Sequence, residues 1–336
     1  MTYFVQIKPS GYLLLVEEDE TILAAALRQG FEIPYSCGSA TCGTCMGKVL
    51  SGTYTYGTVE PYALSTEQRA EQYALFCSVR PTSDLIIELE DVYSPNFIPV
   101  QKAEYTVADY KIFPHDIYQV FLEPEKKKIT YHAGQHIKIL CRDGITLPFS
   151  IANAPTSNGN IELHIKHIAQ NPYTSEIIEK IIQKKSLELR GPYGKMQYCP
   201  ELPFPMIFIS GSNGLVPLKA LIEEALASKD NRKLHLYWGC KIASELYLKD
   251  YFQNLTTQHP NFKFTPIVAE QTLDWQGTTK LITDAIIQEY PHLDQQIVYA
   301  SGPTEMVYCA FDALVKNGLK PQLMFSDTFE YFPRTI

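Results

Sequence analysis

The stretch YSCGSATCGTC, residues 35–45, sets Cys37, Cys42 and Cys45 in the spacing C-x4-C-x2-C, and a fourth cysteine, Cys77, arrives later inside ALFCSVRP. A tight loop with three thiols can wrap a cluster while its backbone N–H groups point at the sulfurs, and a cysteine from a neighbouring segment closes the cage. That is the arrangement of a [2Fe–2S] centre. A structural zinc site more often shows two close pairs than a loop of three with a distant single. Free buried thiols, which behave as small hydrophobes, have no reason to cluster this way. Cys37, Cys42, Cys45 and Cys77 therefore read as metal ligands, whereas Cys141, Cys199, Cys240 and Cys309 lie in apolar or irregular settings and read as core fillers.

Around this loop the first ninety or so residues alternate short β-rich runs (YFVQIKP, YLLLVEE, DLIIELE) with one helical segment, TILAAALRQG, ended by Gly30. This is the pattern of a small α+β unit. YSPNFIPVQKA, residues 93–103, has two prolines and little periodicity and reads as a linker. Short strand candidates follow (QVFLEP, HIKILC, LPFSIAN, IELHIKH, LELRGP), interrupted by the helical TSEIIEKIIQKK. Their spacing predicts a small antiparallel barrel. After Leu202 strand and helix alternate, from PMIFIS and LVPLKALIEEALASK to the closing LMFSD, which predicts a parallel sheet covered by helices.

The chain has 336 residues, 45% hydrophobic and 20% charged, ample for several domains. Its net charge of −8 disfavours nucleic acid, which demands clustered cations, and leaves room for a basic protein partner. The N-terminal run lacks the pattern of a secretion signal and no apolar run reaches membrane-spanning length, so a cytoplasmic protein with no membrane span is expected. Eight cysteines fit a reducing compartment, where thiols serve as ligands or core fillers.

On these motifs, residues 1–92 resemble a plant-type ferredoxin domain, with YSCGSATCGTC and LFCSVRPTSDLIIEL carrying the likeness. AGQHIKI, LPFSIANAP and RGPYG resemble the flavin-binding domain of the ferredoxin–NADP reductase superfamily, and PMIFISGSNGLVPLKALIEEAL, LYWGCK, YASGPTEMV and FSDTFEYF its NAD(P) domain. The resemblance implies a multidomain chain: an α+β ferredoxin (β-grasp) over residues 1–93, an antiparallel β-barrel flavin domain over 102–200 and an α/β parallel-sheet NAD(P) domain over 201–336. It also implies a cytoplasmic, monomeric reductase that moves electrons from NAD(P)H through flavin to the [2Fe–2S] cluster, and on to an acceptor protein of oxygenase or deoxysugar-dehydratase type. The order of domains is similar to that of bacterial oxygenase reductases, CDP-6-deoxy-glucoseen reductases and flavin reductases.

Carried over by position, Phe149 lies on the flavin ring, Ser150 sits near its N5, and Ile151, Ala152 and Asn153 offer backbone contacts. Lys166 approaches the ribityl or phosphate, Thr174 caps a helix that meets phosphate, and Phe329 shields the flavin until nicotinamide displaces it. Gly211, Gly214, Pro217, Gly302 and Pro303 line the nucleotide site. There are departures. Ala40 stands where the family carries glycine in the cluster loop, and Ser212 and Asn213 where it usually has Gly and Thr. Leu147 replaces an arginine that clamps the pyrophosphate of FAD, and Gln170 and Asn171 replace a diglycine. Leu147 removes strong phosphate donors, which admits FMN or a loosely bound flavin in place of tightly held FAD. The alternatives are a flavin reductase using free flavin as substrate, and a non-catalytic binding protein with decayed cofactor sites. The other reading of His164, Lys166 and His167 is a solvated strand face.

Overall fold

The computed structural model describes residues 2–57, 59, 61–270, 275, 277–332 and 334, and divides into two compact units, Met1–Phe97 and Ile98–Ile336. In the first, β1 (Thr2–Lys8), β2 (Leu13–Glu17), α1 (Ile22–Arg28), β3 (Met46–Ser51), β4 (Tyr54–Tyr56), α2 (Thr66–Ala70), β5 (Tyr73–Leu75), β6 (Val79–Pro81) and β7 (Leu85–Glu88) follow in order. The main sheet runs β2-β1-β7-β3-β5, with β1 and β7 parallel and the other pairs antiparallel. Thr21 starts α1 by accepting the Ala24 N–H at 3.2 Å, and Gly30 leaves it at a φ of +76°. The helix buries Ile22, Leu23, Ala25 and Ala26 in one core with Val5, Ile7, Phe76 and Ile87 of the sheet segments. A helix packed on a mixed sheet with a central parallel pair is a β-grasp.

The second unit opens with β8 (Gln101–Phe113), β9 (Ile117–Pro124), β10 (His136–Leu140), β11 (Thr146–Ser150), β12 (Ile161–Lys166), α3 (Pro172–Ile182) and β13 (Ser186–Tyr193). These strands pair antiparallel in the order β11-β10-β13-β8-β9-β12. The two ends of the sheet then meet: Ile151 bridges Leu163, and the Ala152 N–H donates to Glu162 O at 2.8 Å, which closes the barrel. β8 takes in residues 101–103, at the end of the expected linker, because Ala103, Tyr105 and Val107 alternate into the barrel core.

A parallel sheet follows, built from β14 (Met206–Gly211), α4 (Leu215–Ala227), β15 (Leu234–Cys240), α5 (Lys249–Gln258), β16 (Phe262–Val268), α6 (Ile282–Glu289), β17 (Ile297–Ser301), α7 (Thr304–Lys316), β18 (Met324–Phe325) and α8 (Thr328–Tyr331). Its order is β16-β15-β14-β17-β18. β14 and β17 are buried along their whole length, as expected of strands covered on both faces. From β14 the chain first builds outward through β15 and β16, and later returns to lay β17 on the other side. Such a reversal opens a crevice beyond the carboxyl ends of the two central strands.

Candidate functional site

The cluster loop brings its four cysteines together as two pairs: the Cys37 and Cys42 thiols are hydrogen-bond neighbours, and so are those of Cys45 and Cys77. Among the described residues no three Cys, His, Asp or Glu side chains converge on a single ion. Two pairs suit two irons that each take two thiolates. Ser39 and Thr41 aim their N–H groups at Cys37 Sγ, both at 3.4 Å. The Thr41 side chain and these two N–H groups hold the Cys37 thiol down to about 5. Burial pushes Cys45 up to about 12, so this thiol carries a negative charge readily only when a cation is present to offset it. The residues fit a [2Fe–2S] cluster. Glycines let the loop turn at Gly38 (φ +65°) and Gly43 (φ +77°), but Ala40 is also left-handed, at +59°, and buried.

The second site is a cavity of about 380 Å³ in the crevice of the parallel sheet, lined by Ser150, Gly211, Ser212, Asn213, Gly214, Pro217, Ser301, Gly302, Pro303 and Asp327. Six expected residues thus come together: Ser150, Gly211, Gly214, Pro217, Gly302 and Pro303. The N-termini of α4 and α7 flank the crevice, and neither is capped by a side chain. Uncapped helix N-termini with glycine turns make a pyrophosphate seat. The turns admit no larger residue: a Cβ on Gly214 would lie 2.1 Å from Ser301 O, and one on Gly211 2.4 Å from Met306 Sδ. Ser212 holds a φ of +50° in the first turn, pinned by the Trp238 indole N–H, which donates to Ser212 O at 3.0 Å.

Asp327 is the acid of this crevice, and the motifs alone do not single it out. Burial raises its carboxyl above the ordinary value, against hydrogen bonds from the Thr328 N–H and the Ser326 and Ser301 hydroxyls. Its sequence signal is no more than an acid between two hydroxyl residues after the last strand.

The other expected flavin residues lie outside the cavity lining. Phe149 and Leu147 pack against the barrel core, and Phe329 packs between Tyr308 and Phe311 of α7, where an apolar ring finds partners. Ile151 and Ala152 give their N–H groups to Gln135 O and Glu162 O as the barrel closes, and the Asn153 side chain bonds Glu162 N and Asn160 O. Lys166 is exposed at the end of β12. The Thr174 hydroxyl donates within its own loop, to Ile168 O at 2.9 Å and Asn171 O at 3.0 Å. The flavin seat therefore fits at its ring end, where Ser150 enters the crevice. It does not fit at the phosphate end.

His164, expected on a solvated face, is buried beneath the helices of the parallel sheet. Its Nε2 meets Glu162 Oε1 at 2.7 Å and its Nδ1 meets the Tyr247 hydroxyl at 2.8 Å. Burial lowers the ring's affinity for a proton, so the single N–H of the neutral form points to the carboxylate and Tyr247 donates to Nδ1. Burial alone would raise Glu162, but the bonds from His164 and Gln119 and the charge of Lys219 hold it down to about 2. Lys219 of α4 completes the group, donating to Glu162 Oε2 at 2.9 Å, Glu223 Oε1 at 2.7 Å and Ala152 O at 3.1 Å.

Comparison with known proteins agrees with this architecture. Residues 5–82 match the model of a 2Fe-2S iron-sulfur cluster binding domain, 105–198 that of an oxidoreductase FAD-binding domain and 208–311 that of an oxidoreductase NAD-binding domain. The chain is 34% identical to the phenol hydroxylase P5 protein of Acinetobacter pittii, over 98% of this chain and 95% of that one. It is 32% identical to the CDP-6-deoxy-L-threo-D-glycero-4-hexulose-3-dehydrase reductase of Yersinia pestis, over 98% and 99%. The crystal structure of an Amycolatopsis cytochrome P450 reductase superposes with a TM-score of 0.65 at 28% identity, covering 98% of this chain and 99% of that one.

Proposed function

The chain belongs to the family of reductases that join a 2Fe-2S iron-sulfur cluster binding domain to FAD-binding and NAD-binding oxidoreductase domains, and from this we propose how its own residues divide the work. It is an NAD(P)H-dependent oxidoreductase that passes electrons from the nicotinamide through flavin and the [2Fe–2S] cluster to a partner protein. When bound, these groups supply the redox chemistry, with a hydride entering as an electron pair and electrons leaving one at a time.

The observation that carries the assignment of residues is the crevice where the uncapped N-termini of α4 and α7 open beside Ser150. Gly211, Gly214, Gly302 and Pro303 let the backbone approach a pyrophosphate, and Ser150 sets a hydroxyl where nicotinamide and flavin ring would face each other. Each hydride handed on as two electrons leaves a proton behind. Asp327, held on the same wall by Ser301, takes that proton at its carboxylate. Cys37, Cys42, Cys45 and Cys77 would supply the thiolates that hold the cluster.

The acceptor follows from charge. Residues 1–97 contain twelve acidic and five basic residues, a net −7 of the chain's −8. A partner docking on the ferredoxin unit therefore presents a basic face, as an oxygenase component or a dehydratase would at its electron-entry site. Cys42→Ser tests the electron order. The variant should keep NADH-driven reduction of ferricyanide and lose reduction of cytochrome c, and retention of both rates would sink the scheme.

A further inference from the structure

α3 is the one α-helix among the described residues between 98 and 200, and it follows β12, the strand that bridges to Ile151 beside the ring seat. Among the described elements of the barrel, that helix N-terminus is the one whose backbone N–H groups could meet a phosphate. A helix start offers four N–H groups. Here none remains to give: Asn171 N–H donates to Ile168 O at 2.8 Å, Pro172 has no N–H, and the Tyr173 and Thr174 N–H groups both donate to the Asn171 side-chain oxygen, at 3.0 and 3.3 Å. The Asn171 carboxamide stands where a phosphate oxygen would. The contrast with α4 and α7, left uncapped on the nucleotide crevice, sharpens the point.

Cations do not replace these donors. On β11, two residues before Phe149 and on its face of the strand, stands Leu147, packed on the barrel core. Of the barrel's two arginines, Arg190 donates to Glu188 at 3.0 and 3.1 Å, and Arg142 pairs at 3.9 Å with Glu176 of α3, its guanidinium over the Tyr173 ring. Lys166 is exposed, a hydrated point charge rather than a fork.

We propose, building on the reading of this chain as a flavin-dependent reductase, that it grips flavin through the isoalloxazine and ribityl end and gives the pyrophosphate and adenylate of FAD no anchorage. FMN and riboflavin then bind as well as FAD, and the flavin exchanges with the free pool.

The test is titration of the full-length apoprotein with riboflavin, FMN and FAD, followed by quenching of flavin fluorescence. Dissociation constants within about three-fold of one another are expected, since no charge-assisted bond separates the ligands. FAD binding more than about thirty-fold tighter than riboflavin would overturn the inference alone. Failure of all three flavins to bind would overturn the reductase reading as well, so the two failures are told apart.

Asn171→Gly, a change that helix starts tolerate, frees the Tyr173 and Thr174 N–H groups. Combined with Leu147→Arg it should tighten FAD about ten- to hundred-fold and leave riboflavin unchanged. An unchanged preference in both Asn171→Gly and the double variant would show that the phosphates lie elsewhere and overturn the assignment.

Discussion

The Ser301 hydroxyl donates to Asp327 Oδ2 at 3.4 Å, tying the end of β17 to the segment after β18 at the wall of the nucleotide crevice. The bond holds Asp327, the acidic group among the described residues of the cavity lining, beside two hydroxyls, those of Ser301 and Ser326.

Asp327→Asn keeps an acceptor for the Thr328 N–H and removes the proton carrier. The first hydride transfer, followed by stopped-flow, should change by less than about three-fold, whereas steady-state acceptor reduction falls by about 10²-fold and its pH profile flattens. Stability carries a matching sign. A carboxyl raised on folding loses stability as pH climbs from its unfolded value of 3.8 through the raised folded value. The asparagine variant should therefore melt higher than the parent at pH 7 and alike at pH 3.

Ala40 sits left-handed at +59° in the cluster loop, a conformation in which a Cβ costs about 1 kcal/mol. Ala40→Gly should stabilise the loop by roughly 0.5–1 kcal/mol. Loss of the visible iron–sulfur absorbance under a chelator would slow several-fold, and an unchanged or faster loss would contradict strain at this position.

Lys219→Met removes the cation shared by Glu162 and Glu223 and leaves the buried Glu162 and the half-buried Glu223 without it. A cost of about 3–5 kcal/mol is expected, a fall of roughly 10 °C in the melting of residues 98–336. In the parent protein the depressed Glu162 contributes stability that is complete above its ordinary 4.5 and disappears as pH falls toward about 2. Acid titration of the variant should lack most of that slope.

The net −7 of the ferredoxin unit predicts strong screening by salt of electron delivery to a basic acceptor. Raising ionic strength from ~0.02 to ~0.5 M should slow acceptor reduction by about an order of magnitude. Reduction of the flavin by NADH, carried by the nearly neutral remainder of the chain, should shift by less than about two-fold. Equal slowing of both steps would place the docking surface elsewhere.

The three architectures were legible because each writes its own period into the chain: alternation in the barrel, strand followed by helix in the parallel sheet, and a cysteine loop between short strands in the ferredoxin unit. What escaped depends on parts of the chain that meet only in space. Asp327 matters because it lies against Ser301, 26 residues away. His164 and Glu162 look like one polar face of a strand until α4 brings Lys219, 57 residues on from Glu162, down upon them. Thr174 is legible as a helix-start hydroxyl, but a hydroxyl beside Asn171-Pro172 has loop carbonyls nearer than any ligand. β8 was within reach: QKAEYTVADYKIF alternates over 13 residues, and two prolines just ahead of it obscure where the strand begins.

The seam at which residues 151–154 join the barrel's closure to α4 bears on how this chain can be taken apart. Ala152 O accepts from Lys219 and the Ala154 N–H donates to Glu223, so both ends of the ring seat are fastened to a helix of the other fold. A barrel expressed alone would carry a buried Glu162 without its lysine, and a parallel-sheet piece alone would carry Lys219 without its carboxylate across the seam. The ferredoxin unit, by contrast, closes a hydrophobic core from its own residues. The two halves of residues 98–336 must instead be inherited, and engineered, as one piece.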